Sequence, residues 1–154
     1  MRTTKLLKGA CALGASLLVC APAVAADNCT GYDVLFTMSE ETLDLGGGHS
    51  LTVFRQKSVL VTENALYNLA TGECSGTALA TPDGKVRVIG YCARRDKDGD
   101  THSIEFSQAA GAEKGAWKST GGTGKLAGKN DSGWFQDVRT DGKMLVSKWG
   151  GNCR

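Results

Sequence analysis

The stretch CSGTALATPDGKVRVIGYC, residues 74–92, places two cysteines symmetrically about a turn signal. Pro82-Asp83-Gly84 predicts a three-residue loop, in which a type I turn is followed by glycine in the left-handed region. Counting outward along an unbroken antiparallel ladder brings Cys74 opposite Cys92. Directly opposed strand residues have the Cα separation that a disulfide requires. The stretch therefore predicts a β-hairpin closed by a Cys74–Cys92 disulfide.

Similar turn chemistry recurs along the chain. Asp-Gly follows at Asp98-Gly99 and at Asp141-Gly142, where glycine accepts the positive φ that hairpin turns require. The 21 glycines interrupt the chain too often for long helices, and short β-rich runs lie between the turn signals. We therefore predict an all-β domain, most simply a single antiparallel β-barrel of about eight strands, with a sandwich as the alternative.

Alternating apolar positions give the approximate strand boundaries. In the first strand, the alternate residues from Tyr32 to Met38 share one face. Helix is expected only as a turn or so around Glu40–Leu43 or Glu63–Tyr67. The predicted strands are Tyr32–Met38, Ser50–Arg55, Ser58–Thr62, Thr77–Ala80, Lys85–Ala93, Thr101–Ser107, Ala116–Ser119, Gly133–Val138 and Lys143–Trp149.

The first 25 residues have the three parts of a secretory signal peptide. The N-terminal region carries Arg2, Lys5 and Lys8 and no acid, a short apolar run rich in Gly and Ala follows, and Ala23-Val24-Ala25 supplies a small-residue cleavage site. Cleavage after Ala25 leaves residues 26–154 as one domain without a membrane span, periplasmic or secreted. A retained N-terminal anchor is the alternative, although no stop-transfer pattern follows.

Removal of this segment changes the charge balance. Three of the 18 Lys and Arg residues leave with it and no acid does, so 15 basic residues face 16 acidic ones. The remaining Lys and Arg residues are interspersed with acids. The mature chain therefore lacks the basic patch that is typical of nucleic-acid binding, and no nucleic-acid partner is predicted.

Four cysteines remain after cleavage, and in an exported chain an even number predicts two disulfides. Pairing Cys74 with Cys92 leaves Cys29–Cys153, which ties the mature N-terminus to the C-terminus. Cys92–Cys153 is the alternative, because Gly-Tyr-Cys and Gly-Asn-Cys are similar contexts. No CxxC spacing exists and only two histidines are present, so a zinc site is disfavoured.

The glycine-rich segment STGGTGKLAGK, Ser119–Lys129, has the composition of a phosphate-binding loop but not its spacing. A Walker A loop requires glycine five residues before the Gly-Lys pair and a hydroxyl after it. Around Gly124-Lys125 these positions are Ser119 and Leu126, and around Gly128-Lys129 they are Thr123 and Asn130. We interpret the segment as a glycine-rich β turn and predict no nucleotide partner.

The segment GAWKSTGGTGKLAGKNDSGWF, residues 115–135, resembles a G-x-W…GGTGK-x-x-G…G-x-W pattern of uncharacterised small exported bacterial proteins. GYCARRDKDGD (90–100) and WGGNC (149–153) are similar to the same proteins, so the resemblance covers Cys74–Cys153. These proteins are related in outline to allene oxide cyclase-like and lipocalin-like, or calycin-like, β-barrels. The resemblance implies a closed antiparallel barrel and carries over no catalytic residue.

Asp96, Asp98 and Asp100 form the densest polar cluster, and their carboxylates are candidate calcium ligands. An EF-hand loop, however, requires D-x-D-x-D-G with glutamate at position twelve, where this chain has Ser107. The neighbouring basic residues also partly neutralise the carboxylates. We therefore interpret the cluster as a solvated hairpin tip and predict no metal or cofactor, with calcium as the alternative.

The sequence contains no recognisable catalytic motif. His102 and Ser103 are strand neighbours, so their side chains point to opposite faces, and the chain has no G-x-S-x-G elbow. Trp117, Trp134 and Trp149 are predicted to pack the barrel core or its ends, with a ligand-stacking surface as the alternative.

The function predicted from these observations is a non-enzymatic, exported β-barrel that binds a small apolar ligand or a partner protein. One alternative is a protein inhibitor of a hydrolase such as a lysozyme or protease, which would use the loops Gly46–His49 and Ser119–Lys129. A second alternative is an isomerase or cyclase in the barrel mouth, for which a deep pocket containing His49, His102 or a buried carboxylate would be required.

Overall fold

The computed structural model describes residues 28–153 as one closed, antiparallel eight-stranded barrel. The expected signal peptide lies outside the described residues. Within residues 28–153 no helix is long and apolar enough to cross a membrane. The strands follow one another around the barrel in chain order: β1 Cys29–Gly46, β2 His49–Thr62, β3 Thr71–Ala80, β4 Val86–Arg95, β5 Thr101–Gln108, β6 Gly115–Gly122, β7 Ser132–Asp141 and β8 Met144–Asn152.

The β3–β4 hairpin has the predicted register. The Thr81 amide donates a hydrogen bond to the Lys85 carbonyl at 2.9 Å, and the unbroken ladder pairs Cys74 directly with Cys92. The two residues form a disulfide with a Cα–Cα distance of 4.0 Å. The prediction from turn chemistry is confirmed, because a loop of fixed length sets every pair along the two strands.

The barrel closes where β1 pairs with β8, from Cys29 opposite Gly151 to Phe36 opposite Met144. The second disulfide, Cys29–Cys153, lies at this seam with a Cα–Cα distance of 5.9 Å. The predicted pairing of the first and last cysteines is therefore confirmed, and the alternative Cys92–Cys153 is excluded. This bond joins the two chain ends at the only place where non-consecutive strands meet in the described barrel.

The first hairpin is longer than the sequence predicted. Glu40–Leu43, expected as a helical turn, is strand, because Glu41 pairs with Val53 and Leu43 pairs with Leu51. The predicted break after Arg55 is absent, and β2 is continuous. The helix expected at Glu63–Tyr67 is replaced by hydrogen-bonded turns, and the only helical element described is a 3-10 turn at Gly124–Leu126. Cross-strand pairing outweighs local propensity at Glu40–Leu43 and across Arg55.

The apolar alternation of β1 faces outward. Tyr32, Val34 and Phe36 share one face as predicted, but their exposure shows that it is the outer face of the barrel. Asp33 and Leu35, both only 7% exposed, point inward between them. Met38 has no cross-strand partner, because a bulge separates Thr37 from Ser39.

Five large aromatic side chains in the barrel each lie opposite a glycine on the neighbouring strand. An added Cβ at Gly76, Gly90 or Gly115 would lie 2.2–2.7 Å from the ring of its partner phenylalanine, so each ring covers the place of a missing side chain. These glycines therefore let the rings pack over the neighbouring strand, in the place of the missing side chains. The five pairs are Phe54–Gly76, Phe106–Gly90, Phe135–Gly115, Trp117–Gly133 and Trp149–Gly31.

The Gly115→Ala substitution should lower the free energy of unfolding by about 1–3 kcal/mol, because the new methyl group overlaps the Phe135 ring. Gly121→Ala on the same strand is the matched control, since nothing lies within 4 Å of its added Cβ. Urea unfolding measures both. The double variant Gly115→Ala/Phe135→Leu should recover part of the loss, and equal losses for Gly115→Ala and Gly121→Ala would contradict the ring-on-glycine arrangement.

The two ends of the barrel differ. Four hairpin turns, at residues 46–49, 81–85, 109–114 and 142–143, form what we call the hairpin end. The chain termini and the connections 63–70, 96–100 and 123–131 form the opposite, plugged end. At the plugged end, Tyr67 and Leu126 are almost fully buried and join the hydrophobic core cluster.

Candidate functional site

The barrel encloses a cavity of about 210 Å³. Its lining extends from His102 and Trp149, towards the plugged end, to Gln108 and the exposed Asp137, towards the hairpin end. Between these levels apolar side chains dominate. We call six of them the apolar wall: Leu35, Phe54, Val88, Phe106, Phe135 and Leu145.

Three buried polar residues lie towards the plugged end of the barrel, and we call them the polar floor: Asp33, Ser58 and Arg94. Ser58 Oγ donates to Asp33 Oδ1 at 2.6 Å, and Arg94 Nε donates to Ser58 Oγ at 2.8 Å. Arg94 Nη2 donates to Asp33 Oδ2, which completes the ring of hydrogen bonds. Asp33 and Arg94 line the cavity, so an ion pair with both carboxylate oxygens engaged faces its interior.

The disulfide Cys74–Cys92 also lines the cavity, and Arg94 Nη2 lies 3.6 Å from Cys74 Sγ. Arg94 reaches this position because it follows Cys92 by two residues on the inward face of β4. Its pairing partner on β3 is Gly72, where an added Cβ would lie 2.0 Å from a backbone carbonyl oxygen of β4. Glycine at position 72 therefore allows the β4 backbone to approach β3 closely beside Arg94.

A second set of polar side chains links the connections at the plugged end to the strands of the barrel. Tyr67, in the connection after β2, donates to Asp131 Oδ2, and burial together with this carboxylate raises the pKa of Tyr67. His102 Nε2 lies 2.7 Å from Ser119 Oγ, and its ring lies 5.2 Å from the Tyr67 ring. These contacts fix the connections 63–70 and 123–131 to each other and to the barrel strands.

His102 is directly opposite Arg94 and points inward. Burial, assisted by the positive charge of Arg94, lowers the pKa of His102 from 6.5 to about 4. The imidazole is therefore neutral at pH 7 and adds no positive charge to the cavity.

The His102→Gln substitution should flatten the pH dependence of stability between pH 6.5 and pH 4. In this window the unfolded chain binds a proton at His102 that the folded chain does not, so folding stability falls as the pH falls. Over the full window the contribution is about 3 kcal/mol. Urea unfolding at several pH values measures it as the difference between the two proteins, and parallel profiles would contradict the buried, neutral imidazole.

The three tryptophans occupy two environments. Trp117 and Trp149 line the cavity near its plugged end, and their rings meet edge to face at 6.1 Å. Trp134 lies outside the cavity lining, where the Lys114 ammonium group is 4.2 Å from its ring centre. The structure therefore brings two of the predicted ligand-stacking residues together and separates the third.

The aspartate cluster of the β4–β5 turn contacts a lysine. Lys125 Nζ lies 2.7 Å from Asp96 Oδ2 and contacts Asp98 Oδ2, while its backbone amide donates to Asp100 Oδ2 at 3.2 Å. These contacts lower the pKa of Asp96 and bring that of Asp98 to about 2. Across residues 28–153, no group of three or more His, Cys, Asp or Glu side chains is arranged to hold a metal ion.

The glycine-rich segment Ser119–Lys129 runs from the last residues of β6 into the connection 123–131 at the plugged end. Gly124 packs against the Asp100 carboxylate with no room for a Cβ, and Leu126 is 2% exposed. Gly46–His49, the other loop considered for an inhibitor, forms the β1–β2 turn at the hairpin end. The two loops therefore lie at opposite ends of the barrel and cannot form one contact surface.

Sequence patterns did not indicate the polar floor. Asp33, Ser58 and Arg94 come from three strands, and Arg94 directly precedes the charged segment 95–100 in sequence, although its side chain lines the cavity. The available signal was a polar residue on the face opposite an apolar alternation, as at Asp33 between Tyr32 and Val34. His102 was considered as a candidate, and the structure places it in the cavity, whereas His49 lies on the exposed hairpin turn.

Fold and cavity together define a small, disulfide-linked antiparallel β-barrel with an open interior. No protein-family model matches the chain, and no curated protein matches it. Among solved structures, the pterocarpan synthase dirigent protein GePTS1 is similar, with a TM-score of 0.50 and 13% sequence identity over 85% of this chain and 92% of that chain. Because the sequence identity is low, this structural similarity shows a shared fold alone, in line with the closed barrel that the sequence resemblance implied.

Proposed function

We propose that this protein is an exported, non-enzymatic β-barrel that binds a small apolar molecule inside the barrel. The observation that carries the proposal is the cavity of about 210 Å³ behind the apolar wall. Ligand sites are typically concave, mostly apolar and equipped with a few fixed polar groups. The cavity has this composition, and the five rings that lie over glycines are part of its lining.

The size of the cavity limits the ligand. A cavity of about 150 Å³ lined by apolar side chains accommodates benzene. At about 210 Å³, this cavity suits a compact molecule somewhat larger than benzene. Binding such a molecule removes apolar surface from water on both partners, which supplies the driving force.

Two further features support export. Two disulfides connect the barrel, and disulfides persist in oxidising compartments such as the periplasm and the extracellular space. The N-terminal sequence has the pattern of a secretory signal. Periplasmic or secreted localisation is therefore part of the proposal.

A pair of tryptophan substitutions on β4 tests the location of binding. Val88 lines the cavity, whereas its neighbour Ile89 points outward and is 43% exposed. Val88→Trp should fill the cavity and abolish binding of methylcyclohexane, and Ile89→Trp should leave binding unchanged. Calorimetry measures both, and native mass spectrometry of gently purified wild-type protein detects a retained ligand. Equal binding by the two variants would contradict the proposal.

An isomerase or cyclase in the barrel is the second candidate, because the cavity contains His102 and the buried carboxylate of Asp33. It ranks second because these groups already have partners: His102 Nε2 contacts Ser119, and both Asp33 oxygens accept hydrogen bonds. Conversion of a retained ligand by the wild-type protein, lost in His102→Gln, would favour this candidate. The inhibitor hypothesis stays a prediction, and because its two candidate loops lie at opposite ends of the barrel, each loop would have to act by itself.

A further inference from the structure

We infer that the barrel selects uncharged amphipathic molecules, with the apolar part against the apolar wall and one neutral hydrogen-bonding group at the polar floor. The inference rests on the proposed function and specifies the chemical class of the ligand. It follows from the way charges are distributed along the cavity.

Each buried charge that faces the cavity is already neutralised. The Arg94 guanidinium and the Asp33 carboxylate, 5% and 7% exposed, form an ion pair supported by Ser58. Opposite Arg94, His102 is neutral at pH 7. A ligand carrying a full charge would therefore enter a buried site that offers no net counter-charge, and burial of an unpaired charge is strongly unfavourable.

The remaining charge of the lining lies at the mouth. Asp137 is exposed and accepts a hydrogen bond from Ser147 Oγ. Solvent screens an exposed carboxylate, so it contributes little to a head group held at the floor. Asp137 therefore does not alter the selection made by the polar floor.

The polar floor nevertheless offers hydrogen bonds. Arg94 uses Nε and Nη2 in the floor, so the N–H donors of Nη1 take no part in these bonds. The Gln56 side chain also lines the cavity and contributes only its Nε2 to a bond within this range, to Thr37 at 3.4 Å. A hydroxyl or carbonyl group is the smallest head group that uses such partners without adding charge.

Four compact probes with the same ring test the inference at pH 7: methylcyclohexane, cyclohexylmethanol, cyclohexanecarboxylate and cyclohexylmethylammonium. Calorimetry on the full exported chain should give the tightest binding for the alcohol. The two ions should bind at least ~100-fold more weakly, since each loses its hydration without gaining a counter-charge. The hydrocarbon should bind up to ~10-fold more weakly than the alcohol, which corresponds to one net hydrogen bond.

The double variant Asp33→Leu/Arg94→Met removes the floor charges together and keeps the cavity uncharged. In it the alcohol should lose its advantage over methylcyclohexane, while both ions stay weak. Asp33→Asn, checked for folding by circular dichroism, leaves Arg94 unpaired and should improve carboxylate binding relative to the alcohol.

The outcomes separate the two levels of the proposal. If methylcyclohexane and the alcohol bind but either ion binds as well as the alcohol in the wild-type protein, the head-group inference is overturned and the ligand-binding function stands. If none of the four probes binds, both the proposed function and the inference are overturned. The wild-type series decides between these outcomes whether or not the variants fold.

Discussion

Replacement of Cys29 and Cys153 by alanine is expected to lower the free energy of unfolding by about 5 kcal/mol, on the chain-entropy account. The bond links residues 124 positions apart and closes the seam between β1 and β8. Without it, the unfolded chain regains nearly all of its conformational freedom. Since small domains are stable by only about 5–15 kcal/mol, this variant should be close to its unfolding threshold.

The internal comparison is the other disulfide. Cys74 and Cys92 are 18 positions apart, so the same account gives about 3 kcal/mol for the Cys74→Ala/Cys92→Ala variant. Urea unfolding of both variants under identical conditions measures the two losses. A loss below about 1 kcal/mol for the Cys29–Cys153 pair would contradict a barrel whose seam depends on that bond.

Arg94→Met should destabilise the barrel by about 3–5 kcal/mol, because it leaves the Asp33 carboxylate buried without its counter-charge. The double variant Asp33→Leu/Arg94→Met removes both charges and should have nearly wild-type stability, since buried ion pairs are often replaceable by apolar residues. A double-mutant cycle by urea unfolding measures the difference. Equal stability of the single and double variants would show that the two residues do not interact in the folded barrel.

The sequence was sufficient for features set by local chemistry. The loop Pro82–Gly84 fixes the register of β3 and β4, and that register fixes the Cys74–Cys92 pair and, by elimination, the second disulfide. The Asp-Gly turns, and the glycines that interrupt the chain too often for long helices, also indicated the antiparallel barrel. Each of these inferences needs only a turn and its two flanking strands.

Features set by distant strands were missed. The polar floor joins β1, β2 and β4, so Asp33 and Arg94 become neighbours only when the barrel curls. The sequence also did not indicate that Tyr32 and Phe36 point outward. Alternation shows which residues share a face but not whether that face is the inner or the outer side of the barrel. To predict the ring-on-glycine pairs, one must know the register of each pair of neighbouring strands. The sequence does not reveal that register where the connecting turn is long or bulged.

The length of β1 was missed for a related reason. Residues 39–46 include several polar side chains and lack a clean apolar alternation, and β8 pairs with β1 only as far as Phe36. The Thr37 amide still donates to the Lys143 carbonyl at 2.8 Å. From Ser39 onward the strand pairs with β2 among the described residues, as in the pair of Thr42 with Thr52, whose hydroxyl groups lie 2.8 Å apart. Long-range pairing, not local preference, makes this segment a strand.

The account depends most directly on the barrel interior being the binding site. Methyl NMR spectra of the protein, recorded during titration with cyclohexylmethanol, distinguish inside from outside residue by residue. Signals of Leu35, Val88 and Leu145 on the apolar wall should shift together, while those of the outward-facing Val53 and Val61 remain unchanged. Shifts confined to the outer residues, or no shift at saturating alcohol, would contradict the account.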